Sequence, residues 1–236
     1  MDAEARDPGS IASPFDGRVV FRAKQDDEEC DAPPEELACL GAQAVDSRRR
    51  EFLRGRSAAR HALQALLGQA PPPVGKGERG EPLWPAGVVG SISHTRELAV
   101  AAVGWRAHVG GIGLDVEARD RRVDAGIGGH VCLPEELRWV ESAVGLPDAP
   151  ADPILRLKMV FTAKEAIYKA LYPVEQVFLG FKDAELGWAS GGFRAVLRRA
   201  AGRAYPAGSE LDVGCRVLER ELLASVCLLP ASGRAS

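Results

Sequence analysis

Residues 111–117 read GIGLDVE and residues 161–171 read FTAKEAIYKAL, and these two stretches decide the fold. The first ends a series of three short Val- and Ile-rich runs, Val88–Ser93, Leu98–Trp105 and Val109–Glu117, which are separated by turn residues and read as strands. The second sets Ala163, Ala166, Ile167, Ala170 and Leu171 at helical spacing. It lies in a predicted helix from Ile154 to Leu171 that follows the punctuation of Pro147, Pro150 and Pro153. Strands and helices thus occur together along one chain.

Upstream, Pro33 to Leu67 reads as helical, with Leu37, Leu40, Phe52, Ala59, Leu63 and Leu66 apolar, most basic residues on the other side, and a stop at Gly68. Gln69 to Gly87 turns to Pro and Gly and reads as an ordered loop from which Lys76 and Arg79 project. Downstream, Gly126 to Gly129 is expected to flex and Pro134 to about Val144 to be helical. Arg194–Leu197, Leu211–Leu218 and Leu222–Leu229 read as closing strands. Each half thus has helices followed by strands, without an exact sequence repeat. The first dozen residues and the tail after Pro230 read as fraying ends, and acidic Asp26–Asp31 as a solvated surface.

With 236 residues, 46% hydrophobic and 27% charged, the chain can bury a substantial core in one large domain or two small ones. A net charge of -3 argues against a general nucleic-acid binder, so any phosphate site must be local. Cys30, Cys39, Cys132, Cys215 and Cys227 are scattered without a CxxC pair and read as reduced thiols. The polar, acidic start does not resemble a signal peptide, and no apolar run approaches the roughly 18 residues of a membrane span. A cytoplasmic protein with no membrane partner is expected.

Asp115 and Glu117 are two apart on a strand, so both face one side and their oxygens can converge on a cation. Hard carboxylate donors suit Mg2+, which completes its shell with water and substrate phosphate. Two exposed acids on an edge strand give the same pattern, so DxE alone is not specific. Glu165 and Lys169 stand at i and i+4 on one helical face. They are either a surface ion pair worth about 0.3–0.5 kcal/mol, or a carboxylate and an ammonium aimed at metal and phosphate. Ser93 and His94 end a strand beside a loop, a common place for ligand contacts. No GxSxG elbow surrounds Ser91 or Ser93, which disfavours a serine hydrolase. Arg48, Arg49, Arg50, Arg54, Arg56 and Arg60 form a basic run, either a solvated face or a clamp for a polyanion. GKGERG lacks the spacing of a P-loop.

In order, GRSAARHAL, GKGERGEPLWPAGVVGSISHT, GIGLDVE and FTAKEAIYKALYP resemble the successive signatures of 4'-phosphopantetheinyl transferases, in particular the surfactin-synthetase-activating and enterobactin-synthetase branch. The resemblance implies an α/β (α+β) protein of two similar subdomains, 14–110 and 111–232, that form a pseudo-dimer with the active site between them. It implies transfer of the phosphopantetheine arm of coenzyme A to a serine of an apo acyl- or peptidyl-carrier protein, by a monomer. Asp115, Glu117 and Glu165 match the metal ligands, for Mg2+ or alternatively Mn2+. Arg48, Arg56, Lys76, Ser93 and His94 match contacts to the coenzyme A phosphates, and Lys169 and Lys164 match contacts to the pyrophosphate. Glu165 is the candidate base for the serine proton, and Lys169 shares the stabilisation of the leaving group. Glu81 stands where many relatives place a basic residue before PLWP, which leaves Lys76 or Arg79 as its substitute. The carrier is expected to dock on exposed apolar surface around Gly126–Leu137. A magnesium-dependent phosphodiesterase cleaving a nucleotide pyrophosphate would use the same acids.

Overall fold

The computed structural model describes residues 11–25, 30–41, 44–123, 125–142 and 148–230. Both chain ends, most of the acidic stretch and the expected end of a helix at Val144 lie outside the described residues. The order is β1 (Val19–Gln25), α1 (Pro34–Leu37), α2 (Asp46–Leu67), β2 (Gly75–Lys76), β3 (Pro82–Leu83), β4 (Val88–His94), β5 (Leu98–Trp105) and β6 (Gly111–Ala118). There follow α3 (Gly128–Val131), α4 (Pro134–Glu141), α5 (Pro153–Glu175), β7 (Ala184–Ala189), β8 (Gly192–Leu197), β9 (Glu210–Val217) and β10 (Glu221–Leu228).

Two antiparallel sheets carry the fold, one ordered β1-β5-β4 and the other β6-β10-β9-β8-β7. The same wiring occurs twice. In each sheet the first strand precedes a long helix and then pairs with the last strand, which also pairs with the strand just before it. Period-2 alternation explains how one strand serves two layers. On β5, Leu98, Val100 and Ala102 face a core shared with Ile112, Leu114 and Val116 of β6, whereas Ala101 and Val103 face Ala58, Ala59, Ala62 and Leu63 of α2. On β10, Leu223 joins the shared core and Leu222, Ala224, Val226 and Leu228 pack on α5. The layers therefore run helix, sheet, sheet, helix.

β4 and β6 are the edge strands nearest the seam between the sheets, and no ladder joins them. Two hydroxyls satisfy the exposed β6 edge instead: Leu114 N–H donates to Ser91 Oγ at 3.0 Å and Val116 N–H to Ser93 Oγ at 3.1 Å.

The expected helix from Pro33 to Leu67 is two helices, and α2 ends at Gly68, whose φ of 70° closes the last turn onto Gln64. The helix expected from Ile154 to Leu171 begins at Pro153, where Asp152 caps Ile154 N–H at 2.9 Å, and runs on to Glu175. Strands β1 and β7 are additions to the sequence reading, as is the short β2–β3 ribbon within the stretch expected to be an ordered loop. Arg48, Arg49 and Arg50 stand exposed on α2 as expected of most of its basic residues, whereas Arg54 and Arg56 are buried.

Candidate active site

The GxG of β6 sets the depth of the site. A Cβ at Gly113 would lie 1.9 Å from the Ala166 carbonyl oxygen, and one at Gly111 would lie 2.6 Å from that of Ala170. Bare backbone on this face lets α5 settle onto β6. Two and four residues beyond Gly113, Asp115 and Glu117 continue the same face. One turn along α5 from Ala166 comes Lys169, whose Nζ donates to Asp115 Oδ1 at 2.6 Å and to Ser93 Oγ at 3.1 Å. Ser93 Oγ in turn donates to Asp115 Oδ1 at 2.9 Å. One strand from each sheet and the long helix of the second half thus meet at a single carboxylate.

That carboxylate is only half satisfied. Asp115 is 5% exposed, and its Oδ2 is buried without a hydrogen-bond partner. Burial, then the Asp115 charge, pushes the Glu165 and Glu117 carboxyls above their ordinary range, partly offset by Lys169 for both and by Arg121 and Lys158 for Glu117. Two carboxyls pushed up beside a third, which carries an orphaned oxygen, fit a divalent cation. As they stand they are not gathered: among the described residues no three His, Cys, Asp or Glu side chains form a cluster able to hold a metal. Lys169 Nζ instead occupies Asp115 Oδ1, and Arg121 lies 3.5 Å from Glu117 Oε2.

A cleft of about 1050 Å³ runs past Glu117, with Arg48 and His94 on its wall. The same two residues line a smaller recess of about 120 Å³ with Phe52, Arg56, Lys76 and Gly80. Arg56, 4% exposed, donates from Nη2 to Gly75 O at 3.0 Å, and its Nη1 is buried without a partner. Its plane lies over Phe52, 5.0 Å from the ring centroid. Arg48 Nη1 is 3.4 Å from His94 Nε2. A guanidinium can only donate, so the imidazole accepts there and carries its proton on Nδ1, which has no hydrogen-bond partner. Burial, with Arg48, Lys169 and Arg54 nearby, pulls His94 down to about 4, so it is neutral at pH 7. The recess is rich in unspent donors, as an anion site requires.

Of the two residues left open by Glu81, Lys76 lines this recess, whereas Arg79 lies 5.9 and 6.0 Å from the ring centroids of Tyr172 and Phe178. Glu81 itself accepts Arg79 N–H at 3.0 Å within its own loop. Lys164 is not brought to the cleft. It is 4% exposed and donates to Val131 O at 2.9 Å and to Glu136 Oε2 at 2.6 Å, so its ammonium has no phosphate to meet. Glu136 is 1% exposed and also accepts Leu133 N–H and Leu186 N–H, which makes the pair a buried tie between α4, α5 and β7. Segment 126–137 is less open than expected, because Val131, Cys132 and Leu133 are buried. Beside it lies a pocket of about 150 Å³ with Val123, Ile127, Leu157 and Phe161 on its walls, together with Arg121, Arg122 and Lys158.

Sequence reasoning missed Lys158. Its Nζ donates to Ala118 O at 3.0 Å and Arg119 O at 2.6 Å, immediately after Glu117, and so fixes the end of β6. Only its spacing of seven from Glu165, about two helical turns, pointed that way.

Residues 34–104 match the 4'-phosphopantetheinyl transferase N-terminal domain, and residues 111–226 match the 4'-phosphopantetheinyl transferase superfamily. The chain is 39% identical over 160 residues to the 4'-phosphopantetheinyl transferase Npt of Nocardia iowensis, covering 67% of both chains. It is 39% identical over 154 residues to PptT of Mycobacterium tuberculosis, covering 65% of this chain and 64% of that one. It is 35% identical over 140 residues to enterobactin synthase component D of Salmonella typhi, covering 59% and 54%. The chain thus spans about two thirds or less of the length of these relatives. A holo-[acyl-carrier-protein] synthase structure from Thermotoga maritima superposes with a TM-score of 0.40 at 21% identity, over 51% of this chain and 64% of that one. With both halves matched in sequence, the chain belongs to the 4'-phosphopantetheinyl transferase superfamily.

Proposed function

We propose that this transferase moves the phosphopantetheine arm of coenzyme A onto a serine of an apo acyl- or peptidyl-carrier protein and releases adenosine 3',5'-bisphosphate. Its two subdomains would be residues 14–110 and 111–232, with the reaction in the cleft between them. The observation that carries this reading is one continuous wall: Arg48 and His94 border both the donor-rich recess and the cleft that passes Glu117. A polyanion held at one end reaches the acids at the other.

In this reading Arg48, Arg56, Lys76, Ser93 and His94 grip the phosphates of coenzyme A, the 3'-phosphate in the recess. Asp115, Glu117 and Glu165 would hold Mg2+, or alternatively Mn2+, and the ion when bound supplies Lewis-acid charge to the pyrophosphate. The carrier serine oxygen bonds to the β-phosphorus, and the bond from that phosphorus to the bridging oxygen breaks. The electron pair leaves with the bisphosphate, where the Lys169 ammonium offsets the new charge. The serine proton passes to Glu165, the acid on α5 facing Asp115. The carrier docks beside 126–137, where an apolar pocket edged by Arg121, Arg122 and Lys158 suits an acidic partner. Both the recess and the acids belong to one chain, which supports action as a monomer. No helix among the described residues is long and apolar enough to cross a membrane, and we assign the enzyme to the cytoplasm without a nucleic-acid partner.

The test is the mass of an apo carrier after incubation with the protein, coenzyme A and Mg2+. A gain of one phosphopantetheine is expected, and free phosphopantetheine with an unchanged carrier would overturn the reading. Omitting Mg2+ is expected to abolish the gain.

A further inference from the structure

Lys76 reaches the donor-rich recess from a segment that cannot hold itself. Its strand, β2, is two residues long, pairs only with Pro82–Leu83, and lies in a loop dominated by Gly and Pro. An isolated ribbon of that size is not stable in water. The segment is tied down from behind, in the main by a group that does not line the recess.

The main tie is Glu36 on α1. It is 0% exposed, a rare position for a carboxylate. Its Oε1 accepts Val74 N–H at 2.9 Å, two residues before Lys76, and its Oε2 accepts Arg60 Nη1. Arg60 also donates to Asp31 O. One helical turn earlier on α2, Arg56 Nη2 donates to Gly75 O at 3.0 Å. The backbone on either side of the Val74–Gly75 peptide is therefore pinned to α2, once through the Glu36–Arg60 pair and once by Arg56 directly. The second contact fixes a guanidinium that lines the recess and whose other terminal nitrogen is buried without a partner.

We infer that Glu36 is a positioning residue for the coenzyme A phosphate site: it places Lys76, and through Gly75 holds Arg56 in its working orientation. This rests on the reading of the recess as the 3'-phosphate site. Glu36 touches neither substrate nor metal, so its loss acts on ground-state binding of coenzyme A and leaves the chemical step alone.

Two variants of Glu36, a stability control and measurements on the unaltered protein test the inference. Glu36→Ala removes both acceptors, and KM for coenzyme A is expected to rise about tenfold with kcat changed less than about twofold. Glu36→Gln keeps an acceptor for Val74 N–H but loses the charge opposite Arg60, and a rise of about threefold is expected. With 3'-dephospho-coenzyme A as donor, neither variant should differ from wild type in KM. Leu197→Ala, in the core of the other half, serves as the control for lost stability and should lower Tm with KM unmoved. In the wild-type protein the Val74 amide should exchange with solvent at the slow rate of the core. An unchanged KM in a folded Glu36→Ala protein, or Val74 exchange as fast as an exposed loop, overturns the role of Glu36. If instead wild type does not distinguish coenzyme A from its 3'-dephospho form, the reading of the recess fails, independently of Glu36.

Discussion

Lys169 and Asp115 share the shortest contact of the site, and each leaves the other with work to do. The ammonium spends hydrogen bonds on Asp115 Oδ1 and Ser93 Oγ while Asp115 Oδ2 stays unpaired. Lys169→Met keeps the length of the side chain and removes the charge. At saturating coenzyme A and Mg2+ it is expected to lower kcat on the order of a hundredfold, the usual effect of deleting one donor aimed at developing charge. A steady-state assay with an apo carrier checks this, and an unchanged kcat would remove Lys169 from the chemistry. His94 gives a separate signature. Its pKa lies near 4 in the folded protein and near 6.5 when unfolded, so the unfolded chain binds more protons in between. Its contribution to stability is full above about 6.5 and is lost as pH falls towards 4. Urea unfolding at pH 7, 5.5 and 4.5 should show this decline, and His94→Gln should flatten it.

At the level of elements, the site is a consequence of how closely a helix approaches a strand. Gly113→Ala would force a methyl against the Ala166 carbonyl, and α5 must move outward or the strand must bend. A loss of about 3 kcal/mol is expected from overpacking of this kind. Activity should fall further than stability, because Lys169 and Glu165 move away from Asp115 with the helix. Comparing kcat at temperatures well below each protein's Tm separates the two effects. The strands around the site were legible because Val88–His94, Leu98–Trp105 and Gly111–Ala118 combine β-branched residues with turn punctuation. Strand β1 was not, since Arg22, Lys24 and Gln25 dilute its apolar alternation and its place is fixed by pairing with β5, far along the chain. Asp115, Glu117 and Glu165 and the basic residues of the recess could be picked out from motif order. Glu36, Lys164 and Glu136 could not be placed, because a buried ion pair has no local pattern and a charged residue reads as exposed until its partner is known. Arg56 was named from its motif, but its burial depends on a loop some twenty residues away.

Across the whole molecule, the two sheets are joined by a shared apolar core and by two serine hydroxyls spanning neighbouring strand edges. The hydroxyls are chemically alike but differ in what else they touch. Ser91→Ala leaves Leu114 N–H buried without an acceptor and is expected to cost about 1–3 kcal/mol in urea unfolding, with kcat unaffected. Ser93→Ala should cost a similar amount through Val116 and also disturb Asp115 and Lys169, so that kcat falls with it. Equal stability losses with unequal catalytic losses would separate the joint from the site.

The shared core has one more consequence. Its residues come from β1, β4 and β5 on one side and from β6 and β10 on the other, and among them no cluster belongs to either sheet alone. Chain cleavage in the turn between Trp105 and Gly111 would therefore yield two pieces, each with a bare greasy face, that are soluble only as a reassembled pair. The repeated wiring gives each unit a core of its own against its helix, yet each needs the other to cover its second face, so tolerance to nicking at that turn is coupled to recovery of the enzyme as a two-chain complex.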